Sequence, residues 1–329
     1  MNVKDIFVYI EVREDHALDA GFQLLSLSQT LKEQYAAKGI AQDVVAVICG
    51  HHVEQHIADC HKYGADKVII VDHEVLRFPT TEAITSALAR VIETYHPECF
   101  LVGATVVGRD IAPRVAARVG TGLTADATHL EVDPSEDSRL LLMTRPAFGG
   151  NLYGTIICPF SYPQMSSIRP EVFVKVVYDK PVADPIRLDF DFKPTHKIEV
   201  LERLVKHKEG ADLKSAHMIV AGGRSMVNHI EKLQNFASKI DASFAASRGL
   251  VESGKVGKDI QVGQTGVSVR PALYIACGIS GAAQHTAGME NAQTIIAINT
   301  DPEASIFQFS HLGVVGDAIE VLKRVEMYL

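Results

Sequence analysis

Between Gly222 and His285 the sequence gathers residue types suited to holding a phosphate-bearing ligand against a polar wall. Gly222-Gly223-Arg224-Ser225 follows the apolar run His217 to Ala221 and precedes Met226, Ile230, Leu233, Ala237 and Ile240, which share one helical stripe. Glycines let the backbone approach a ligand closely, and free N–H groups with a guanidinium at a strand-to-helix turn suit a phosphate. The same residues serve equally as a plain turn with a solvated arginine, and the G-x-G-x-x-G spacing of a standard NAD site is missing. Gln261-Val262-Gly263-Gln264-Thr265-Gly266 has no apolar period but holds two glycines, two amides and a hydroxyl, the makings of a polar-contact loop or of a surface turn. Leu273 to Cys277 then reads as a buried strand running into Gly278-Ile279-Ser280-Gly281-Ala282-Ala283-Gln284-His285. Ligands of open α/β sheets bind at the carboxyl ends of strands, which is where these groups fall. A lone histidine beside an apolar strand is more often structural, so spacing alone leaves His285 open.

The elements that must position these groups follow from periodicity. Strand-like runs at Ile6 to Val12, Val44 to Cys49, Lys67 to Val71 and Cys99 to Val102 alternate with helical patterns. One helix carries Leu18, Phe22 and Leu25, a second lies near His56, and a third has Ile84, Leu88, Val91 and Tyr95 at three-to-four spacing. This βαβα alternation predicts an α/β fold with a parallel sheet covered on both faces. After a helix around Asp110 to Val119, the runs Leu140 to Met143, Tyr153 to Cys158 and Val172 to Tyr178 read as strands of an antiparallel extension. Pro181, Pro185 and Pro194 among charged residues make Lys180 to about Glu202 the expected connection between domains. A second α/β unit follows, with strands at His217 to Ala221, Leu273 to Cys277 and Thr294 to Asn299 and a closing amphipathic helix through Val315, Ile319, Leu322 and Val325. No internal repeat is visible.

With 329 residues, 47% hydrophobic and 22% charged, the chain suits a two-domain soluble protein. The net charge of −8 argues against nucleic acid as a partner, because nonspecific affinity comes from clustered Lys and Arg. Cys49, Cys60, Cys99, Cys158 and Cys277 are scattered without a C-x-x-C pair, so neither a metal site nor disulfides are expected. The start Met-Asn-Val-Lys-Asp lacks the features of a secretory signal, and no apolar run reaches the ~18 residues of a membrane span. The expected location is the cytoplasm.

The order G-G-R, S-R, Q-V-G-Q-T-G, L-Y-I-A-x-G-I-S-G-A-x-Q-H-x-x-G and A-I-N, found between Gly222 and Asn299, resembles the FAD domain of electron transfer flavoprotein alpha subunits. Gly108-Arg109-Asp110-Ile111-Ala112-Pro113-Arg114, Gly122-Leu123-Thr124-Ala125-Asp126 and Arg145-Pro146-Ala147-Phe148-Gly149-Gly150-Asn151 extend the likeness to the N-terminal part. The resemblance implies two Rossmann-like domains: residues 1–203, docking a beta subunit and ending in a linker at about 180–203, and residues 204–329, holding FAD. It also implies that Gly223, Arg224, Ser247, Val262, Gly263, Gln264, Thr265, Ser280, Gly281, Ala282, Ala283, Gln284, His285, Asn299 and Asp317 line the cofactor. Arg248 would lie over the isoalloxazine, Thr265 near N5, and His285 at the N1 and C2-carbonyl edge.

Each ring role has a physical reason, because a reduced flavin gathers negative charge near N1 and O2 that a cation or donor stabilises. At an effective dielectric of ~20, a charge ~4 Å away is worth about 4 kcal/mol before desolvation, or roughly 170 mV for one electron. Arg suits the place better than Lys, since its planar fork stacks on a ring while staying charged. Two stretches depart from the family pattern. Ala283 stands where Ile or Val is usual, and Val251-Glu252-Ser253-Gly254-Lys255 replaces V-D-A-G-W.

In the first domain, Gly103-Ala104-Thr105 and Gly108-Arg109-Asp110 suggest an anion site, without a P-loop. The resemblance makes this domain a docking surface in an alpha–beta heterodimer and the whole chain an electron carrier rather than an enzyme. It implies exchange with an acyl-CoA dehydrogenase or a quinone oxidoreductase. The T-R-P-A-F-G-G-N form looks like the anaerobic, electron-bifurcating branch, which brings in NADH and ferredoxin or flavodoxin. The competing expectation is an NAD-dependent enzyme whose C-terminal dinucleotide domain uses His285 as general base.

Overall fold

Five consecutive apolar residues, Ile6–Ile10, form a strand buried along its whole length. Such a strand is stable only with cover on both faces, the mark of a parallel sheet. The computed structural model describes residues 3–13, 15–147, 152–178, 180–192, 198, 200–201 and 213–328, and the chain divides into two units, residues 1–204 and 205–329.

In the first unit, beside a short antiparallel pair at Val12–Arg13 and His16–Ala17, the strands are β1 (Ile6–Ile10), β2 (Val44–Gly50), β3 (Lys67–Asp72), β4 (Cys99–Gly103), β5 (Leu123–Ala127), β6 (His129–Val132), β7 (Leu141–Ala147), β8 (Leu152–Ile156), β9 (Gln164–Ile168) and β10 (Ile186–Arg187). A seven-stranded sheet runs β10-β3-β2-β1-β4-β9-β5, with every pair parallel. Along β1, Ile6, Val8 and Ile10 enter one core with α1 (Asp19–Ala36) and α2 (Ile57–Lys62). Phe7 and Tyr9 enter the other, with α3 (Thr81–Tyr95) and α4 (Val106–Val119). The period-two alternation of a strand thus divides its side chains between two helical layers.

The antiparallel extension is a three-stranded sheet, β8-β7-β6. Its membership differs from expectation. Val172 to Tyr178 is not a strand: it crosses the helices instead, with Val176 N donating to Ser26 Oγ at 2.9 Å and Tyr178 N to the Lys62 carbonyl at 2.7 Å. Its alternating valines mimic a strand that has no partner. The sequence pattern conversely hides β9, because Gln164, Ser166 and Ser167 are polar. They are buried with their bonds made: Gln164 Oε1 accepts from Leu141 N at 2.7 Å, and Ser166 donates to the Thr124 carbonyl at 3.1 Å.

Of the expected connection, residues 180–192 are held by the first unit. Lys180 pairs with Asp66 at 2.6 Å, β10 adds to β3, and Leu188, Phe190 and Phe192 pack on the core. Residues 193–197, 199 and 202–212 lie outside the described residues, as do 148–151 of the Arg145 to Asn151 run.

The second unit is a five-stranded parallel sheet of β11 (Met218–Gly222), β12 (Ser243–Ala246), β13 (Leu273–Cys277), β14 (Thr294–Asn299) and β15 (Leu312–Val315), in the order β12-β11-β13-β14-β15. Its helices are α5 (Ile230–Lys239), the single turns α6 (Arg248–Val251) and α7 (Ala283–Thr286), and α8 (Ala318–Glu326). Val315, expected in the last helix, ends β15. The helix expected directly after Gly223 is preceded by a separate 3-10 turn, Arg224–Met226, and α5 begins at Ile230. Both units are Rossmann-like. No helix among the described residues is long and apolar enough to cross a membrane, and no group of three or more His, Cys, Asp or Glu among them could hold a metal ion.

Candidate functional site

From β11 the chain crosses to β12 on one side and then to β13 on the other, so the connections diverge between β11 and β13. Such a switch point opens a crevice at the carboxyl ends of the strands. Here it is a cleft of about 570 Å³, walled by the residues that directly follow three strands: Gly223 and Arg224, then Ser247, Arg248 and Gly249, then Gly278, Ile279 and Ser280. Gln261, Val262, Gly263 and Thr265 form another wall, and Ala282, Gln284 and His285 close it.

Gly223 is the point of closest approach between the first and third of these loops. Its N–H donates to the Cys277 carbonyl at 2.8 Å, and a Cβ on it would fall 1.8 Å from the Gly278 carbonyl oxygen. Without a side chain here, the two loops meet and the strand ends can share one ligand. The opening N–H groups of the turns that start at Arg224, Arg248 and Ala283 have no intrahelical acceptor. Ser247 caps the second turn, accepting from Leu250 N at 3.4 Å.

The two arginines meet at one carboxylate. Arg248 Nε donates to Glu252 Oε1 at 2.8 Å, and Arg224 stands 3.8 Å from Glu252 Oε2. All three side chains are exposed, and exposed pairs contribute about 0–1 kcal/mol, so either arginine can exchange Glu252 for a better-placed anion.

The loop Gln261 to Gly266 is tied down at both ends. Val262 N bonds the Ala246 carbonyl at 2.9 Å and Gln264 N the Gln284 carbonyl at 2.7 Å. Gly263 has φ +139, and a Cβ there would lie 2.6 Å from the Gln284 carbonyl oxygen, so a larger residue would separate the loop from α7. Buried Gln261 donates through Nε2 to Thr265 Oγ1 at 2.9 Å, which leaves the Thr265 hydroxyl proton to donate elsewhere.

His285 is 7% exposed. Its Nε2 lies 3.0 Å from the hydroxyl of Tyr274, which is fully buried on β13. Its Nδ1 is shielded from water and has no hydrogen-bond partner among the described residues. Burial lowers the imidazole pKa to about 4, opposed by the Val262 backbone without a well-formed hydrogen bond. The ring is therefore neutral at pH 7 and carries one N–H.

Five of the residues expected around the ligand stand outside the walls of this cleft: Gln264, Gly281, Ala283, Asn299 and Asp317. Asn299 braces the third loop through Nδ2 to the Ile279 carbonyl at 2.9 Å. Asp317 caps α8, its Oδ1 accepting from Ile319 N at 2.9 Å and Glu320 N at 3.1 Å. Both stand next along the sheet, at the end of β14 and just after β15. Sequence reasoning passed over Gly249, Gln261, Gly278 and Ile279 as lining residues, although the last three lie inside motifs it had marked and Gly249 adjoins one. It also missed the partnership of Tyr274, for which an apolar strand pattern carries no signal.

At Gly103 to Asp110 the head of α4 is met by the protein's own groups. Thr105 caps α4 by accepting from Gly108 N at 2.9 Å, and its hydroxyl donates to the carboxylate of Glu11, which also binds Arg13 at 2.7 Å.

An orphaned buried imidazole nitrogen, two arginines at the mouth and glycines that narrow the walls fit a ligand combining phosphates with a polar ring, as FAD does.

Comparison with known proteins points the same way. Residues 6–187 match the electron transfer flavoprotein domain, and residues 212–290 match the electron transfer flavoprotein FAD-binding domain. The chain is 42% identical to electron transfer flavoprotein subunit alpha of Thermoanaerobacterium thermosaccharolyticum, over 97% of this chain and 96% of that protein. It is 38% identical to the acryloyl-CoA reductase electron transfer subunit beta of Anaerotignum propionicum, over 97% and 94%. It is also 39% identical to the lactate dehydrogenase (NAD(+),ferredoxin) subunit LctC of Acetobacterium woodii, over 98% of this chain and 76% of that protein.

Proposed function

The chain belongs to the electron transfer flavoprotein alpha subunit family, and from that premise we propose that it carries single electrons on one FAD seated in the cleft of its second unit. The observation that carries the proposal is the meeting of three strand ends at Gly223, Ser247 and Gly278 around one cleft, inside the stretch that matches an FAD-binding domain.

FAD, when bound, supplies the redox chemistry by accepting and releasing electrons one at a time. Arg224 and the N–H groups opening its turn are the groups to hold the phosphates. Ser247, Val262, Gly263, Ser280, Ala282 and Gln284 shape the walls, Gln264, Gly281 and Ala283 support them from the same loops, and Asn299 and Asp317 serve the end farther along the sheet. Arg248, Thr265 and His285 act at the ring. Arg248 brings a permanent cation, Thr265 a hydroxyl proton left over from its bond with Gln261, and His285 a neutral N–H donor. Each favours a ring that has gained negative charge, and so raises its affinity for electrons. The low imidazole pKa also speaks against the NAD-dependent alternative, since a base of pKa about 4 abstracts protons poorly at pH 7.

The partner we propose is an electron transfer flavoprotein beta subunit, docked on the first unit in a cytoplasmic heterodimer. Electrons pass to or from an acyl-CoA dehydrogenase or a quinone oxidoreductase. Relatives named for acryloyl-CoA reductase and for an NAD(+)- and ferredoxin-linked lactate dehydrogenase support a role in NADH-driven bifurcation to ferredoxin or flavodoxin. The experiment is to purify the chain with its beta subunit, extract the flavin and titrate it. One FAD assigned to this chain, with a reduction potential lowered by Arg248→Ala, is the expected result. Absence of FAD, or an unmoved potential, sinks the ring roles. Two FAD per complex would favour bifurcation over simple carriage.

A further inference from the structure

We propose that Tyr274 is a positioning residue for the redox site: its buried hydroxyl donates to Nε2 of His285 and so holds the imidazole in the tautomer that carries its proton on Nδ1, the nitrogen without a protein partner. The proposal rests on the reading of the cleft as an FAD site and adds to it the group that decides what His285 offers the ring.

The geometry leaves few alternatives. Tyr274 is the second residue of β13, paired opposite Ile295 of β14, with no exposed surface. Its hydroxyl oxygen lies 3.0 Å from His285 Nε2, and it forms no other hydrogen bond among the described residues. A phenol has one proton to give, and a neutral imidazole has one nitrogen that donates and one that accepts.

Consider the proton on Nε2. That nitrogen then donates to the phenol oxygen, the phenol proton has no acceptor, and the Nδ1 lone pair has no donor. Two buried polar groups go unsatisfied. With the proton on Nδ1, the phenol donates to Nε2 and only the Nδ1 N–H is outstanding. Leaving buried donors and acceptors unmade is costly, so the second arrangement wins.

The consequence reaches the ligand. Burial keeps the imidazole neutral, so its hydrogen-bonding character is set by tautomer and not by charge. An Nδ1 N–H is a donor, which strengthens as its acceptor becomes anionic. The other tautomer would present a lone pair, repelling the same acceptor on reduction. Tyr274, though outside the cleft walls, thereby sets the sign of the histidine's effect.

The test uses the full chain purified with its FAD and labelled with 15N-histidine, the His285 signal being identified by its loss in His285→Gln. In the wild type, a protonated Nδ1 and an unprotonated Nε2 are expected; a protonated Nε2 overturns the proposal before any change is made to Tyr274. In Tyr274→Phe, which keeps the ring and removes the hydroxyl, the His285 tautomers should mix and the first reduction potential of the flavin should fall. On the His285→Gln background, Tyr274→Phe should produce no further fall. Unchanged tautomer populations overturn the proposal, and so does a potential shift that persists in full without His285, which would mark Tyr274 as a packing residue. FAD content is read separately: its absence from the wild-type chain would defeat the reading of the cleft, while the 15N spectrum would still judge Tyr274.

Discussion

Arg248 Nε donates to Glu252 Oε1 at 2.8 Å, so the cation proposed to act on a flavin ring is held by a carboxylate four residues further on, just past the end of its own helical turn. Arg224 shares the same carboxylate at 3.8 Å. Glu252 therefore offsets both cations of the cleft mouth. Glu252→Gln removes the offset and is expected to bind FAD more tightly and to raise its reduction potential. The exposed pair sets the scale at up to about 1 kcal/mol, or ~40 mV for one electron. A redox titration that shows the potential falling would mean Glu252 holds Arg248 in its working place instead.

Gly223→Ala tests the closeness of the loops. The added methyl would lie 1.8 Å from the Gly278 carbonyl oxygen, which belongs to backbone and cannot swing aside. Overpacking of this kind costs about 1–3 kcal/mol. Urea denaturation should show that loss, together with reduced flavin content in the purified protein.

Acid should loosen the second unit through His285. Its folded-state pKa, about 4, lies below the unfolded value of 6.5, so the unfolded chain binds more protons between them. The stabilising contribution is fully present above pH 6.5 and is lost as pH falls toward 4, amounting to roughly 3 kcal/mol at the limit. Denaturation midpoints of the flavin-free chain across this window should decline, and His285→Gln should flatten the decline. A curve equally steep in the variant would remove His285 from the account.

In the first unit, Glu98 is fully buried and is joined by Arg139 through Nε at 3.0 Å and through Nη2. Burial raises the Glu98 pKa, and Arg139 only partly restores it. Arg139→Ala leaves the carboxylate without its cation, a change expected to cost about 3–5 kcal/mol near pH 7. The sign with pH follows from the raised pKa. The folded state binds the proton more tightly, so stability falls as pH rises from the unfolded pKa through the folded one. Arg139→Ala should widen that window upward, and the variant should recover part of its lost stability on mild acidification. No recovery would mean that Glu98 finds another partner.

Much of this protein is determined by sequence alone. Unbroken apolar runs such as Ile6–Ile10 can be stable only inside a two-sided layer, so the parallel sheets were legible, and motifs of fixed spacing carried the FAD domain. The pattern erred where burial and hydrophobicity part company. Gln164, Ser166 and Ser167 form a buried strand because neighbours satisfy them, while the valines of Val172 to Tyr178 lie across helices without a strand partner. The site followed the same division. Residue types at strand ends pointed to a polar cleft, and the family resemblance, rather than spacing, singled out Arg224 and His285. Only the tertiary structure decided that Glu252 faces both arginines and that the Tyr274 hydroxyl meets Nε2 of His285, since hydrogen bonds depend on distance and direction between residues that the sequence keeps apart.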